Sequence, residues 1–145
     1  EQDVSHEDCY AVADECGIKS RVHLVGPVYG QEKYDYMMAA DAYISLSYRE
    51  NFNHTAAESL SAGLPVILSP GNDLQADVLA TKCSWGLVDD KLETASQAIE
   101  EFSQMPLDEL QSMGALGREW VEENLQFSTF AERLQTIAKK YGRSP

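Results

Sequence analysis

The chain has 145 residues, 43% of them hydrophobic and 24% charged, with 24 Asp and Glu against 11 Lys and Arg and a formal net charge of −13. That length is enough for one domain with its own core, and the acidic balance opposes nucleic acid binding and simple electrostatic adhesion to an anionic membrane. No apolar run approaches the roughly 18 residues of a membrane span and no signal peptide pattern is present, so a cytoplasmic setting is expected.

In chain order, residues 3–17 read as a helix, with Val4, Cys9, Ala11, Val12, Ala13 and Cys16 as its apolar positions and Gly17 closing it. Cys9 and Cys16 would lie about 10 Å apart along that helix, too far for a disulfide. With Cys83 the count is odd, and all three read as reduced, incidental thiols. Residues 21–25 alternate as a short strand that includes His23 as a sheet residue, and Gly26-Pro27 turns the chain. Residues 31–40 read as a helix with Tyr34, Met37 and Met38 toward the core.

Ala42, Tyr43, Ile44 and Leu46 form an apolar strand that leads into a polar loop. A short helix of small residues follows, starting near Asn53 and closed by Gly63 and Pro65. Residues 66–69 are the next strand. Pro70-Gly71-Asn72-Asp73 then reads as a turn with a helix cap at Asn72 or Asp73, heading a helix to about residue 80. Residues 84–88 are the last strand, ending at Asp89-Asp90. Helices are expected over 92–105, 106–124 and 127–141, and 142–145 form a frayed tail. Leu110, Met113, Leu116, Trp120 and Val121 mark one apolar helix face, and Phe130, Leu134, Ile137 and Tyr141 another, both laid over a sheet.

This alternation indicates an α/β fold, a Rossmann-like and mostly parallel sheet flanked by helices. Ligands bind such sheets beyond the carboxyl ends of the strands, expected at Gly26, Ser47, Ser69 and Asp89.

Glu50 and Glu58 stand eight positions apart across the junction of loop and helix. The helix start near Asn53 offers unpaired amides and a partial positive charge to an anion such as a phosphate. A carboxylate one turn inside suits the two vicinal hydroxyls of a ribose, and one in the loop suits a sugar ring. Together these features indicate a nucleotide-sugar site. Thr55-x-x-Glu58 also fits a capping box, and Glu50 alone fits a solvated loop charge.

The run Ser47-Tyr48-Arg49-Glu50-Asn51-Phe52, with Glu58 and then Ser61-Ala62-Gly63-Leu64-Pro65-Val66-Ile67, resembles the donor-binding motif of the retaining group 1 glycosyltransferases of GT-B fold. That motif has two glutamates separated by seven residues and continues into Gly-x-Pro-Val-Ile. Leu46 stands where the family has proline. Asn53 stands where it has glycine, and asparagine tolerates the positive φ expected there. The family's Gly-Gly-x-x-Glu run is replaced here by the turn at 70–73.

The resemblance implies the C-terminal, donor-binding half of a GT-B enzyme. By it, Glu58 accepts ribose hydroxyls and Glu50, the catalytic candidate, binds hydroxyls of the donor sugar. Asn51, Phe52 and Asn53 offer backbone amides to the sugar and phosphate. Gly26 and Val28 flank the base, Gly71 and Asn72 contact the sugar, and Ser47 supports the loop. It further implies hexosyl transfer with retention, from a nucleotide-diphosphate sugar to a glycan or lipid, as in polysaccharide biosynthesis. The donor is a substrate; no cofactor and no metal are expected, because there is no Asp-x-Asp pair and no His/Cys ligand cluster.

Residues 1–145 are expected to form a single donor domain, beginning partway through its family counterpart and inactive alone. The expected partners are the nucleotide-sugar and the missing N-terminal acceptor domain, through which the parent would meet the inner face of the membrane. Nucleic acid is excluded. Two other readings compete: a non-catalytic GT-B-like binding or scaffold domain, and a phosphoacceptor regulator, which the lack of an acidic cluster after a first strand opposes. Arg49 could meet a phosphate and His54 an anion, but both read first as solvated residues, and the Asn53-His54-Thr55 sequon reads as coincidence.

Overall fold

The computed structural model describes residues 4–141, so the tail at 142–145 and the start of the expected 3–17 helix lie outside the described residues. The chain groups into two compact units, one ending at Lys33 and one starting at Tyr34.

In the first unit, helix α1 spans His6–Glu15. Ser5 caps it: its hydroxyl accepts the Asp8 amide at 3.1 Å, while the Asp8 carboxylate accepts the Ser5 amide at 2.9 Å. The Ser5 hydroxyl, donating to the Asp8 carboxylate at 2.7 Å, and then the Ser5 amide hold the Asp8 carboxyl below its usual range. At the other end Gly17 takes φ +70, and the amides of Gly17 and Ile18 donate back to Asp14 and Ala13, a Schellman closure. Only Ala13 of α1 is buried; Val4 and Val12 are exposed.

The strand expected over 21–25 does not form. Lys19–Arg21 make a single 3-10 turn, and 22–29 are irregular. The alternation is real, since Val22 and Leu24 are half-buried while His23 and Val25 are exposed. Among the described residues, however, no strand pairs with this segment, and the Leu24 amide donates instead to the Tyr10 hydroxyl at 3.3 Å. Alternation reports exposure, whereas a strand also needs a ladder. His23 is therefore no sheet residue.

Helix α2, Gly30–Ala39, starts one residue earlier than expected. Only its Met37 is buried; Tyr34 and Met38 are exposed, so the expected apolar stripe packs at a single position.

The second unit is built on three short parallel strands in the order β1 (Tyr43–Ser45), β2 (Val66–Leu68), β3 (Ser84–Gly86). Tyr43 aligns with Val66, and Val66 with Ser84. Helix α3 (His54–Ser61) connects β1 to β2, and α4 (Gln75–Leu79) connects β2 to β3. The cap of α4 is Leu74, without a side-chain bond, rather than the expected Asn72 or Asp73. Three helices complete the chain: α5 (Leu92–Ser103), α6 (Leu107–Asn124) and α7 (Phe127–Tyr141). Pro106 precedes α6 with φ −60, preset for helix entry.

The central strand β2 is buried on both faces, which is why it reads as an unbroken apolar run. Val66 and Leu68 pack on one side with Ala56, Leu60, Val78 and Trp120. Ile67 packs on the other with Leu87, Ala98 and Phe102. The fold is thus α/β, a parallel sheet flanked by helices, as expected.

Helix α6 lies close against α3 through two glycines. A Cβ on Gly114 would meet the carbonyl oxygen of Gly63, and one on Gly117 would meet the Leu60 side chain. Arg118 donates to the Ala62 carbonyl at 3.0 Å, satisfying an orphan acceptor at the end of α3. Helix α7 departs from expectation. It buries no residue, and Phe130, Leu134, Ile137 and Tyr141 are exposed. Among the described residues, no helix is long and apolar enough to cross a membrane.

Candidate functional site

Strand β1 delivers Ser45 to the carboxyl edge of the sheet, and the loop 46–53 leads from there into α3. Asn53 is the cap of α3: its Oδ1 accepts the Ala56 amide at 3.0 Å. Asparagine is a favoured capping residue, and here φ is −77, not the positive value expected where the family has glycine. Since the helix begins at His54, Thr55 lies inside it, and the Thr55–Glu58 capping box does not form. Glu58 stands in the second turn of α3, half-buried. At its far end Gly63 takes φ +79, and the amides of Gly63 and Leu64 donate to Leu60 and Ser59, again a Schellman closure.

Glu50 is half-buried and pairs with the loop after β2. Its amide donates to the Gly71 carbonyl at 2.7 Å, and the Asp73 amide donates to the Glu50 carbonyl at 3.1 Å. The two loops touch backbone to backbone, because a Cβ on Gly71 would meet the carbonyl oxygens of Ser47 and Tyr48.

Beneath these loops lies a cluster of buried polar side chains: Ser45, Asn53, Ser69 and Asn72. Asn53 Nδ2 donates to Ser45 Oγ at 2.9 Å and to Asn72 Oδ1 at 2.8 Å. The Ser69 hydroxyl donates to the Ser47 carbonyl at 2.6 Å, and the Ser45 and Ser47 hydroxyls stand 3.1 Å apart. Gln75 Nε2 donates to the carbonyls of Leu68 and Leu87, both at 2.9 Å, joining the ends of β2 and β3. Buried polar groups need such partners, and these have them.

At the end of β3, Asp89 bonds the Lys91 amide at 3.2 Å and its ammonium at 2.9 Å. Hydrogen bonds from Thr94 and then Lys91 hold the Asp89 carboxyl down at about 2. Tyr48, Pro70, Gly71, Val88, Asp89 and Asp90 line an open hollow of ≈ 430 Å³ on this edge.

The loop 46–53, the loop 69–74 and α3 thus bring Glu50, Asn53, Gly71 and Asn72 together. Asn51 and Arg49 are exposed, and the Phe52 ring meets His54 edge-on at 5.0 Å. The side chains of Asn53 and Asn72 are engaged within the protein, and so are the Asn72 amide, which donates to the Ser69 carbonyl at 3.1 Å, and the Asn72 carbonyl, which accepts the Gln75 amide at 3.0 Å. Gly26, at φ +73, and half-buried Val28 belong to the irregular stretch of the first unit. Ser47 supports its loop, as expected. Sequence reasoning named Ser69 only as a strand end and missed Ser45 and Gln75; for Ser45 the available signal was a small polar residue closing an apolar strand. Among the described residues no three His, Cys, Asp or Glu side chains converge to hold a metal ion.

The family model for glycosyl transferases group 1 matches residues 6–120. The chain belongs to the group 1 glycosyltransferases. This glycosyltransferase chain is 35% identical over 69 residues to a D-inositol 3-phosphate glycosyltransferase of Xylanimonas cellulosilytica, a stretch covering 48% of the chain and 16% of that relative. Among solved structures, sucrose-phosphate synthase from Thermosynechococcus elongatus matches with a TM-score of 0.77 at 23% identity, over 92% of this chain and 33% of that one. Likeness at that identity shows the fold. The group 1 chain spans well under two thirds of the length of either protein.

Proposed function

We propose that this group 1 glycosyltransferase chain is the donor-binding domain of a retaining hexosyltransferase. It takes a nucleotide-diphosphate sugar, and the parent protein passes the sugar to a glycan or lipid acceptor held by a separate acceptor domain. One observation carries the reading. The α3 start, capped by Asn53, and Glu58 on the same helix lie at the carboxyl edge of the sheet, with Glu50 clasped beside them.

In this reading the His54 and Thr55 amides that open α3 and the amides of Asn51, Phe52 and Asn53 face the diphosphate. They stabilise the charge that grows on it as the glycosidic bond breaks. Glu58 accepts the ribose hydroxyls, and Glu50 accepts hydroxyls of the sugar as it becomes oxocarbenium-like. The backbone of Gly71 and Asn72 borders the sugar. No metal or other cofactor takes part. The parent works in the cytoplasm and meets its acceptor at the inner face of the membrane.

The test is a two-dimensional NMR titration of the 145-residue chain and its Glu58→Ala variant with UDP, GDP and their sugar conjugates. Amides near residues 50–58 and 71 should shift with one nucleotide, and the variant should lose the response. Silence toward every ligand, with the parent protein also unable to transfer sugar, would overturn the reading in favour of a non-catalytic scaffold domain.

A further inference from the structure

The Glu50 backbone is held on both sides of a single residue. Its amide bonds Gly71 at 2.7 Å, its carbonyl bonds Asp73 at 3.1 Å, and Asn72 stands between those two. Asn72 is only 2% exposed. Its Nδ2 lies 3.2 Å from Ser69 Oγ, 3.3 Å from the Ser45 carbonyl and 3.4 Å from the Ser69 carbonyl. Its Oδ1 accepts Asn53 Nδ2 at 2.8 Å. Because the two carbonyls can only accept, they determine which end of the Asn72 amide is nitrogen.

Asn53 has its own fixed orientation. Its Oδ1 caps α3 at the Ala56 amide, so its nitrogen faces Asn72 and Ser45. A single chain of bonds therefore runs from the first turn of α3, through both asparagines, to the ends of β1 and β2. The Glu50 backbone is clamped at the outer end of that chain.

We propose that Asn72 and Asn53 are positioning residues that set Glu50, acting through its backbone and not through their own side chains on a ligand. The proposal rests on the donor-site reading of Glu50 given above. A carboxylate that selects sugar hydroxyls works only when held to within about 0.5 Å of its productive place. Loop 46–53 has no regular structure to supply such precision, and the buried asparagine pair supplies it. The pair thereby tunes how strongly the site distinguishes a sugar nucleotide from the bare nucleotide.

Two variants of the 145-residue chain test this. Asn72→Asp keeps the size but turns an oxygen toward two carbonyls. Asn53→Asp keeps the α3 cap but turns an acceptor oxygen toward Asn72 Oδ1 in place of the donor, while the Ser45 hydroxyl can still donate to it. In both, the Glu50 amide should exchange with solvent about tenfold faster or more, while the Ile67 and Leu68 amides keep their wild-type rates. The affinity for the preferred sugar nucleotide should fall about tenfold more than that for its bare nucleotide.

Wild-type protection of the Glu50 amide in Asn53→Asp would overturn the proposal. So would equal loss of protection in β2, which would make the pair a general support of the sheet. If Asn72→Asp does not fold, Asn53→Asp decides alone. A wild-type chain that binds no sugar nucleotide would sink the donor-site reading, and the exchange rates would still decide whether the asparagines hold Glu50.

Discussion

Glu58 stands where it does because α6 clamps α3, and a two-residue cycle measures that clamp. Leu60 of α3 is fully buried, and a Cβ placed on Gly117 of α6 would come within 2.7 Å of its Cδ2. Gly117→Ala alone gains about 1 kcal/mol of helix propensity. It also pushes on Leu60, an overpacking cost of about 1–3 kcal/mol, so the net loss is about 0–2 kcal/mol. Leu60→Ala alone leaves a cavity and should cost about 2–5 kcal/mol.

In the double variant the methyl introduced by Gly117→Ala enters space that Leu60 Cδ2 has vacated. The overpacking cost vanishes and the propensity gain remains. The double variant should therefore be about 1 kcal/mol more stable than Leu60→Ala, with a favourable coupling of about 1–3 kcal/mol. Urea unfolding followed by circular dichroism gives all four stabilities, provided the m-values agree. If the single changes add to within about 0.5 kcal/mol, α6 does not press on Leu60 and the clamp is wrong.

Two further outcomes are expected. Ser84 is buried in β3, and its hydroxyl has no hydrogen-bond partner among the described residues. Ser84→Ala should then leave stability within about 0.5 kcal/mol or raise it, and a loss above about 1 kcal/mol would reveal a bond to that hydroxyl. Asp8 and Asp89 both titrate below their unfolded value of 3.8. The folded chain thus binds these protons less readily than the unfolded chain. The stability they contribute is present above that value and is lost as pH falls below it, in the case of Asp89 through about 2. A carbon-detected titration should find the Asp89 midpoint near 2, and a midpoint at 3.8 would show that Thr94 and Lys91 do not hold it.

The elements that were legible were those whose local chemistry and burial agree. The helix ends at Gly17 and Gly63 were readable because only glycine enters the left-handed closure cheaply. Strand β2 was readable because burial on both faces leaves nothing but apolar residues. The segment 21–25 misled because it alternates like a strand yet meets no partner in the described structure. Helix α7 misled differently: its stripe has helical spacing, but periodicity records which face is apolar and not whether anything covers it.

By itself the sequence determined the order of strands and helices from residue 30 onward, the family, and the two glutamates with the helix start between them. Those depend on spacing along the chain, on capping chemistry and on a contiguous motif. Only the tertiary structure decided what Asn53, Asn72, Gly71, Gly114 and Gly117 do. Asn53 and Asn72 are 19 positions apart and meet at 2.8 Å, and Gly114 meets Gly63 from another helix. Such contacts arise where loops converge over the ends of a sheet or where helices cross. Residues that distant in the chain constrain each other only after the backbone has brought them together.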